Sequence, residues 1–466
     1  MTAKILSNLP CSVELPAGTG KTEIIADLAK EFTQKGNRAL VLTHTHAGVD
    51  VLRRRMKVRN ISSKTVTIRT LDSWCFELIR SFPVLADFTV GEDPDWGLTK
   101  EYHEAGTRAT ASAAIIRMLK ISYDILIVDE YQDCQLHQHK LIDAISQSLP
   151  TCVFGDRMQG LFFFGGQSIL WERDVLPVFP AVTIPIYPWR WDQTNRLLGE
   201  WLIEARDCLL DGRGIDLSSS PIVLHGKSQL INACKTQSRH SGTVVAICRF
   251  PHSAANLARR LGGTYSMIEE LEGKHLKEFA VVVDGGVRSE VAAKCVEYAI
   301  SCAYGVADRF SPTHRRKLRN GFPLESTRIP QFSRTFDALN LLLINPSFGN
   351  TRMALNEIQA HPNFRLHRRE AWLGIMDALR LCEATSNLSL SKAVILVRNR
   401  LSVMGRRPEQ RIVGRPLLIK GLEFDHAVLT DPVDYNAHEL YVALTRGKTS
   451  VHVISDQMML NPARPI

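Results

Sequence analysis

The chain has 466 residues, 45% hydrophobic and 23% charged, with a formal net charge of +9. That length allows two or three domains with cores of their own, and the composition excludes collagen-like and low-complexity chains. No run of about 18 apolar residues occurs, which argues against a membrane-spanning helix, and the positive excess favours an anionic partner, of which nucleic acid is the commonest. The opening stretch MTAKILSNLPCSVELPAGTG lacks an apolar signal region, so no export signal is expected. Ten cysteines run from Cys11 to Cys382 without a CxxC pair. They argue against structural zinc and fit a reducing cytoplasm.

In chain order, the first distinctive stretch is ELPAGTGKTE, Glu14 to Glu23. A phosphate-binding loop needs backbone N–H groups aimed inward at the start of a helix, where the dipole also favours anions. Gly18 and Gly20 permit that close approach, Thr19 lies between them, and the helical pattern TEIIADLAKEF follows. Lys21 would reach the β- and γ-phosphates of ATP, and Thr22 would hold Mg²⁺. Leu15 stands where such loops usually carry Gly or Ala, and an apolar residue there can pack beneath the loop.

Short apolar runs then read as buried strands alternating with helices: RALVLT (38–43), TVTIRT (65–70), DILIVDE (124–130) and TCVFGD (151–156). Runs of this kind suit a parallel sheet covered on both faces. A doubly wound α/β domain is expected over residues 1–190, interrupted by an inserted subdomain at about 83–120. Further strands are expected in TVVAICRF (243–250), KAVILVRN, DHAVLTD and SVHVIS. They predict a second α/β domain from 191–282 plus 390–466, with 283–389 a mostly helical insertion.

ILIVDEYQD places Asp129 and Glu130 at the end of an apolar strand. Alone, such a pair is often a solvated strand end. With Lys21 present, Asp129 suits Mg²⁺ and Glu130 suits orienting a hydrolytic water. Basic clusters stand at 53–59, 314–319, 367–369 and 405–407; each reads equally as solvated surface.

GTGKT, VDEYQD, GDRMQ, KGLEF and ALTRG occur in that order between Gly18 and Gly447. Together they resemble the UvrD/Rep-type superfamily 1 DNA helicases. The resemblance implies two RecA-like parallel-sheet domains of the P-loop NTPase class with reduced helical insertions, and an ATP-dependent helicase or translocase moving 3′ to 5′ on single-stranded or tailed duplex DNA. It implies that Gln159 senses the γ-phosphate and that Arg190 and Arg446 stabilise charge on the transferred phosphoryl group, Arg446 from the second domain across a cleft. Gly421 and Glu423 would contact the nucleotide. Thr43 and His44 of THTH, Thr70 and Trp74 of TLDSW, and Phe162 and Phe163 would touch DNA, the aromatics by stacking worth roughly 1–3 kcal/mol per base.

This chain departs from the family in carrying Asp72 where His is usual, in lacking an upstream Gln that reads adenine, and in its short insertions. A looser nucleotide preference or a partner's contribution, and weak unwinding by the chain alone, are the corresponding expectations. No effector domain is expected after the last motif. A narrower resemblance, carried by DEYQD and DYNAHELYVALTRGK, is to the helicase subunit of Gabija-type antiphage systems, and implies an OLD-type Toprim nuclease as partner. Two functions therefore stand open: a DNA motor, or a DNA- and nucleotide-sensing ATPase subunit that gates a nuclease.

Overall fold

The computed structural model describes residues 1–34, 36–161, 168–237, 241–269, 273–325, 330–404 and 409–463. Phe162 and Phe163, and the basic run 405–407, lie outside these residues. The chain divides into two compact units. The first comprises residues 1–221, 435–449 and 459–466, and the second comprises 222–434 and 450–458. Each is an α/β unit built on a parallel sheet.

The first sheet has five strands: β1 (Cys11–Glu14), β2 (Ala39–Thr43), β3 (Val66–Thr70), β4 (Ile125–Val128) and β5 (Thr151–Gly155), in the order β1-β5-β4-β2-β3. All four neighbouring pairs are parallel. The strand sequences explain why. β2, β4 and β5 are buried at every position, as a sheet covered on both faces requires. Alternate residues feed two separate cores: Leu40, Leu42, Leu126 and Val128 pack on one face, and Ala39, Val41, Ile125 and Ile127 on the other. The outer edge of β1 is not bare. Ser12 N–H donates to Pro180 O at 2.9 Å, and Val182 N–H donates to Ser12 O at 2.8 Å.

The expected inserted subdomain at 83–120 is part of this unit's own core. Its helices Thr99–Thr110 and Ala113–Ser122 bury Tyr102, Ala105, Ala109, Ile115 and Leu119 in the same cluster as β2 and β4.

The second unit carries a six-stranded sheet, of which only the first three residues of β11 are counted with the first unit: β6 (Val223–His225), β7 (Val244–Ile247), β8 (Ser266–Met267), β9 (Arg411–Gly414), β10 (Phe424–Thr430) and β11 (Gly447–Ile454), in the order β6-β11-β10-β7-β9-β8. The pairings of β7 with β9 and β10, of β8 with β9, and of β6 with β11 are parallel. Between β8 and β9 lies a helical body running from Lys274 to Met404 around one large core.

KAVILVRN, expected as a strand, lies within the helix Leu390–Met404 of that body. Its buried residues Leu390, Ala393, Val394 and Val397 follow the i, i+3, i+4, i+7 spacing of a helix. Ile395 and Leu396 are half exposed on the other side; their apolar character lends the run its strand-like look. The helical insertion is thus longer at both ends than 283–389.

Trp372 anchors this body. It is fully buried, and its indole N–H donates to Gln359 Oε1 at 2.9 Å. Truncating it to alanine should cost about 3–5 kcal/mol. Thermal denaturation checks this, and an unchanged melting temperature would contradict the packing.

Candidate nucleotide site

The site forms where three neighbouring strands of the first sheet end: β1, β5 and β4. Ligands of open parallel sheets bind at the carboxyl ends of strands. β1 leads through residues 15–20 into the helix Lys21–Thr33. Leu15 is fully buried in the core beneath the loop, so its departure from the usual residue serves packing. The turn demands glycine twice. Gly18 has φ +71°, and a Cβ there would come within 2.5 Å of the Trp191 ring. Gly20 has φ +90° and caps the helix. The loop is held by Thr19 Oγ1 donating to Pro16 O at 2.7 Å, by Arg190 N–H donating to Gly18 O at 2.9 Å, and by Ala17 N–H donating to the Tyr441 hydroxyl at 2.9 Å.

Lys21 opens the helix, its side chain only 10% exposed. The ammonium lies 2.7 Å from Glu130 Oε1 and 3.6 Å from Asp129 Oδ1. Burial alone would lower its pKa; the facing Glu130 and Asp129 carboxylates outweigh burial and hold it raised. Asp129 is buried, and burial pushes its carboxyl up to about 6 against the pull of Lys21. Glu130 sits in the left-handed region at φ +56°, an uncommon and strained setting for a residue other than glycine. Gln132 Nε2 donates to Glu130 Oε2, and Glu130 N–H donates to Asp129 Oδ1 at 2.8 Å.

Gln159, just past β5, is buried, and its Nε2 donates to Asp156 Oδ2 at 2.9 Å. Arg190, whose N–H holds Gly18 O of the loop, donates from Nη1 to Thr445 O at 2.9 Å. Arg446 belongs to the first unit, not to the second as expected, because residues 435–449 pack with the first. Its guanidinium is buried, with Nε donating to Val442 O and Nη2 to Thr445 Oγ1, both at 2.8 Å. Lys21, Asp129, Glu130, Gln159, Arg190 and Arg446 are therefore all parts of one unit.

Gly421 and Glu423 belong to the second unit. Gly421 has φ +77° with open space beside it, and Glu423 lines a cavity of about 190 Å³ with Glu370 and Glu409.

The donor set fits Mg²⁺. Among the described residues no cluster of three or more His, Cys, Asp or Glu could hold a metal. A hydroxyl at Thr22 and a buried carboxylate at Asp129, beside a phosphate loop, are the sparse protein ligands typical of magnesium shared with substrate phosphates.

The expected DNA residues fare differently. Thr43 ends β2 and is buried. Thr70 caps the helix Leu71–Ser81, its hydroxyl accepting from Ser73 N–H at 3.1 Å. Trp74, 7% exposed, packs in the core with Leu71 and Phe76. His44 is only partly buried. Asp72 pairs with the fully buried His103, Oδ1 to Nε2 at 3.0 Å; that partner accounts for an acid at this position. Of the basic clusters, Arg55 and Arg59 pair with Glu23, and His367 and Arg368 are buried.

Sequence reasoning missed Glu14, Arg206 and Tyr441, which brace the site from behind. The signal for Arg206 was present: an arginine four residues after Leu202 on the buried stripe of the helix Arg196–Leu210.

Residues 2–165 match a family model described as an AAA domain. Among solved structures, the chain is similar to the Pif1 helicase from Candida albicans, with 11% sequence identity and a TM-score of 0.40 over 98% of this chain and 94% of that chain. No curated protein matches the chain.

The raised Asp129 carboxyl carries a stability consequence. The folded protein holds that proton more tightly than the unfolded chain, whose carboxyl titrates near 3.8. The contribution of this group to stability is therefore fullest below 3.8 and is lost as pH rises through about 6. Asp129→Asn should stabilise the nucleotide-free protein at about pH 8. The gain should fade between about pH 6 and pH 4. Denaturation at a series of pH values measures it; a gain independent of pH would refute the assignment.

Proposed function

We propose that the chain hydrolyses ATP at the Lys21 site and uses the cycle to translocate along single-stranded DNA in the 3′ to 5′ direction, as a helicase-type motor. The observation that carries the reading is the Lys21 ammonium, seated at a glycine-bounded helix start and facing Asp129 and Glu130 within 3.6 Å. The AAA-domain match over residues 2–165 supports a nucleotide-driven machine. The ordered helicase-like motifs support DNA as the track.

In this reading the backbone N–H groups at the start of the helix Lys21–Thr33 hold the phosphates, and Lys21 leaves its carboxylate partners for the β- and γ-phosphates. Thr22 and Asp129 would hold Mg²⁺, which supplies neutralisation of phosphate charge when bound. Glu130, released from Lys21, orients the attacking water. Gln159 reports the γ-phosphate. Arg190 and Arg446 counter the charge that spreads over the transferred group. Backbone and stacking contacts carry no base code, so turnover should respond to single-stranded DNA of any sequence.

Steady-state ATP hydrolysis with and without single-stranded DNA tests the proposal, beside Lys21→Ala and Glu130→Gln. The wild-type chain should be strongly stimulated by DNA. Glu130→Gln should keep nucleotide binding and lose turnover by about 10²–10⁴-fold; Lys21→Ala should lose both. Hydrolysis indifferent to DNA would refute the motor, and displacement from 5′-tailed but not 3′-tailed duplexes would refute its direction.

A further inference from the structure

Behind the nucleotide site, Arg206 ties together parts that no phosphate-site motif connects. It lies on the buried stripe of the helix Arg196–Leu210 with Leu198, Leu202 and Leu209, and is 6% exposed. Its Nε donates to Asp156 Oδ1 at 2.9 Å, and its Nη2 donates to Glu14 Oε1. Glu14 is the last residue of β1, immediately before the phosphate loop, and Arg157 grips its other side, with Nη2 to Oε2 at 2.6 Å.

Asp156 is the hub. It is fully buried. Oδ1 takes Arg206 and the Met158 N–H, and Oδ2 takes the Gln159 amide at 2.9 Å. The Tyr441 hydroxyl also hydrogen-bonds it, while accepting from the Ala17 N–H of the phosphate loop. A carboxylate only accepts, so Gln159 must present its NH₂ to Asp156, which turns the carbonyl oxygen the other way. The orientation of the Gln159 amide thus depends on where Asp156 is held.

A buried ion pair is weak evidence for stability, since apolar residues of similar volume often serve as well. Here the pair does more than fill space, because the second carboxylate oxygen is used on Gln159. We propose that Arg206 is a positioning residue: by holding Asp156 against Glu14 it fixes the Gln159 amide relative to the phosphate loop, and so sets the rate of γ-phosphate-dependent turnover. The proposal rests on the reading of the Lys21 site as an ATP hydrolysis site with Gln159 as its γ-phosphate sensor.

The test uses the full chain with Arg206→Lys, alone and combined with Gln159→Ala, and measures kcat and KM for ATP with single-stranded DNA. Lysine keeps the charge and loses the two-pronged grip. Arg206→Lys should lower kcat about tenfold or more with KM moving less than about twofold, and should add nothing to Gln159→Ala, because residues acting as a unit are not additive. An unchanged kcat, or the same fall in the Gln159→Ala background, would overturn the proposal. The double variant Arg206→Met/Asp156→Asn removes both charges and guards against misfolding. It should melt like the wild type and still lose kcat; wild-type turnover would overturn the proposal. If the wild-type chain does not turn over ATP, the hydrolysis reading falls, and the Arg206 linkage is read from binding instead. Arg206→Lys should then lose the wild-type ratio of affinities for ATP and ADP, and an unchanged ratio would overturn it.

Discussion

Three ionisable side chains, Lys21, Asp129 and Glu130, meet at the ends of the first sheet, with Lys21 and Asp129 almost shut off from water. Removing a charge from water costs several kcal/mol per ion unless geometry and hydrogen bonds compensate it closely. Much of the first unit is arranged to supply that compensation. β4 delivers the two carboxylates from a strand buried at every position, so their backbone cannot drift. The Asp129 N–H is fixed by Leu42 O of β2 at 2.8 Å. The loop before Lys21 is pinned from below by Leu15 and from above by Trp191 and Arg190.

The strand order makes this possible. β5 lies between β1 and β4, so the segment after β5 is flanked by the phosphate loop on one side and the two carboxylates on the other. Gln132 spans that gap: its Oε1 accepts from Asp156 N–H at 2.9 Å while its Nε2 donates to Glu130. A perturbation at any one strand end is thereby felt at the other two. The left-handed backbone at Glu130 fits this picture, since a strained residue persists only where its surroundings over-determine it.

What could be read from the sequence divides along a physical line. The phosphate loop, the carboxylate pair and the strands that carry them were legible because their signals are local: glycines beside a lysine, and apolar runs ending in acids. The two parallel sheets follow from the same runs. Features that depend on distant packing were not legible. Whether Ile395 and Leu396 face a core or solvent cannot be seen in an eight-residue apolar run, so a helix there reads as a strand. Trp74 reads as a DNA contact from its motif, yet the cluster that buries it includes Tyr102 from the segment expected to be a separate subdomain. Arg446 falls in the first unit because the chain enters the second unit at 222 and returns at 435, and a return of that kind leaves no compositional mark.

The charge balance of the two layers explains their different behaviour. In the rear layer, Arg206 and Arg157 face the buried Asp156 and Glu14, and on their outer sides they also meet the exposed Asp207 and Glu172. In the front layer the Lys21 ammonium faces two carboxylates, those of Asp129 and Glu130. Each buried charge of the rear layer thus has an opposite charge beside it, which lets the layer act as a fixed frame. The front layer has yet to meet its ligand on the reading proposed above. A polyphosphate entering it adds negative charge at short range, and like charges in a poorly hydrated site repel strongly. Lys21 cannot neutralise the phosphates and both carboxylates at once. On the reading proposed above, Thr22 and Asp129 would hold a divalent cation that offsets part of the added charge, and Lys21 would then turn from Glu130 to the phosphates. On that reading, Glu130 is held by Lys21 at 2.7 Å until phosphates draw the ammonium away, and this contact would couple the carboxylate to the arrival of nucleotide.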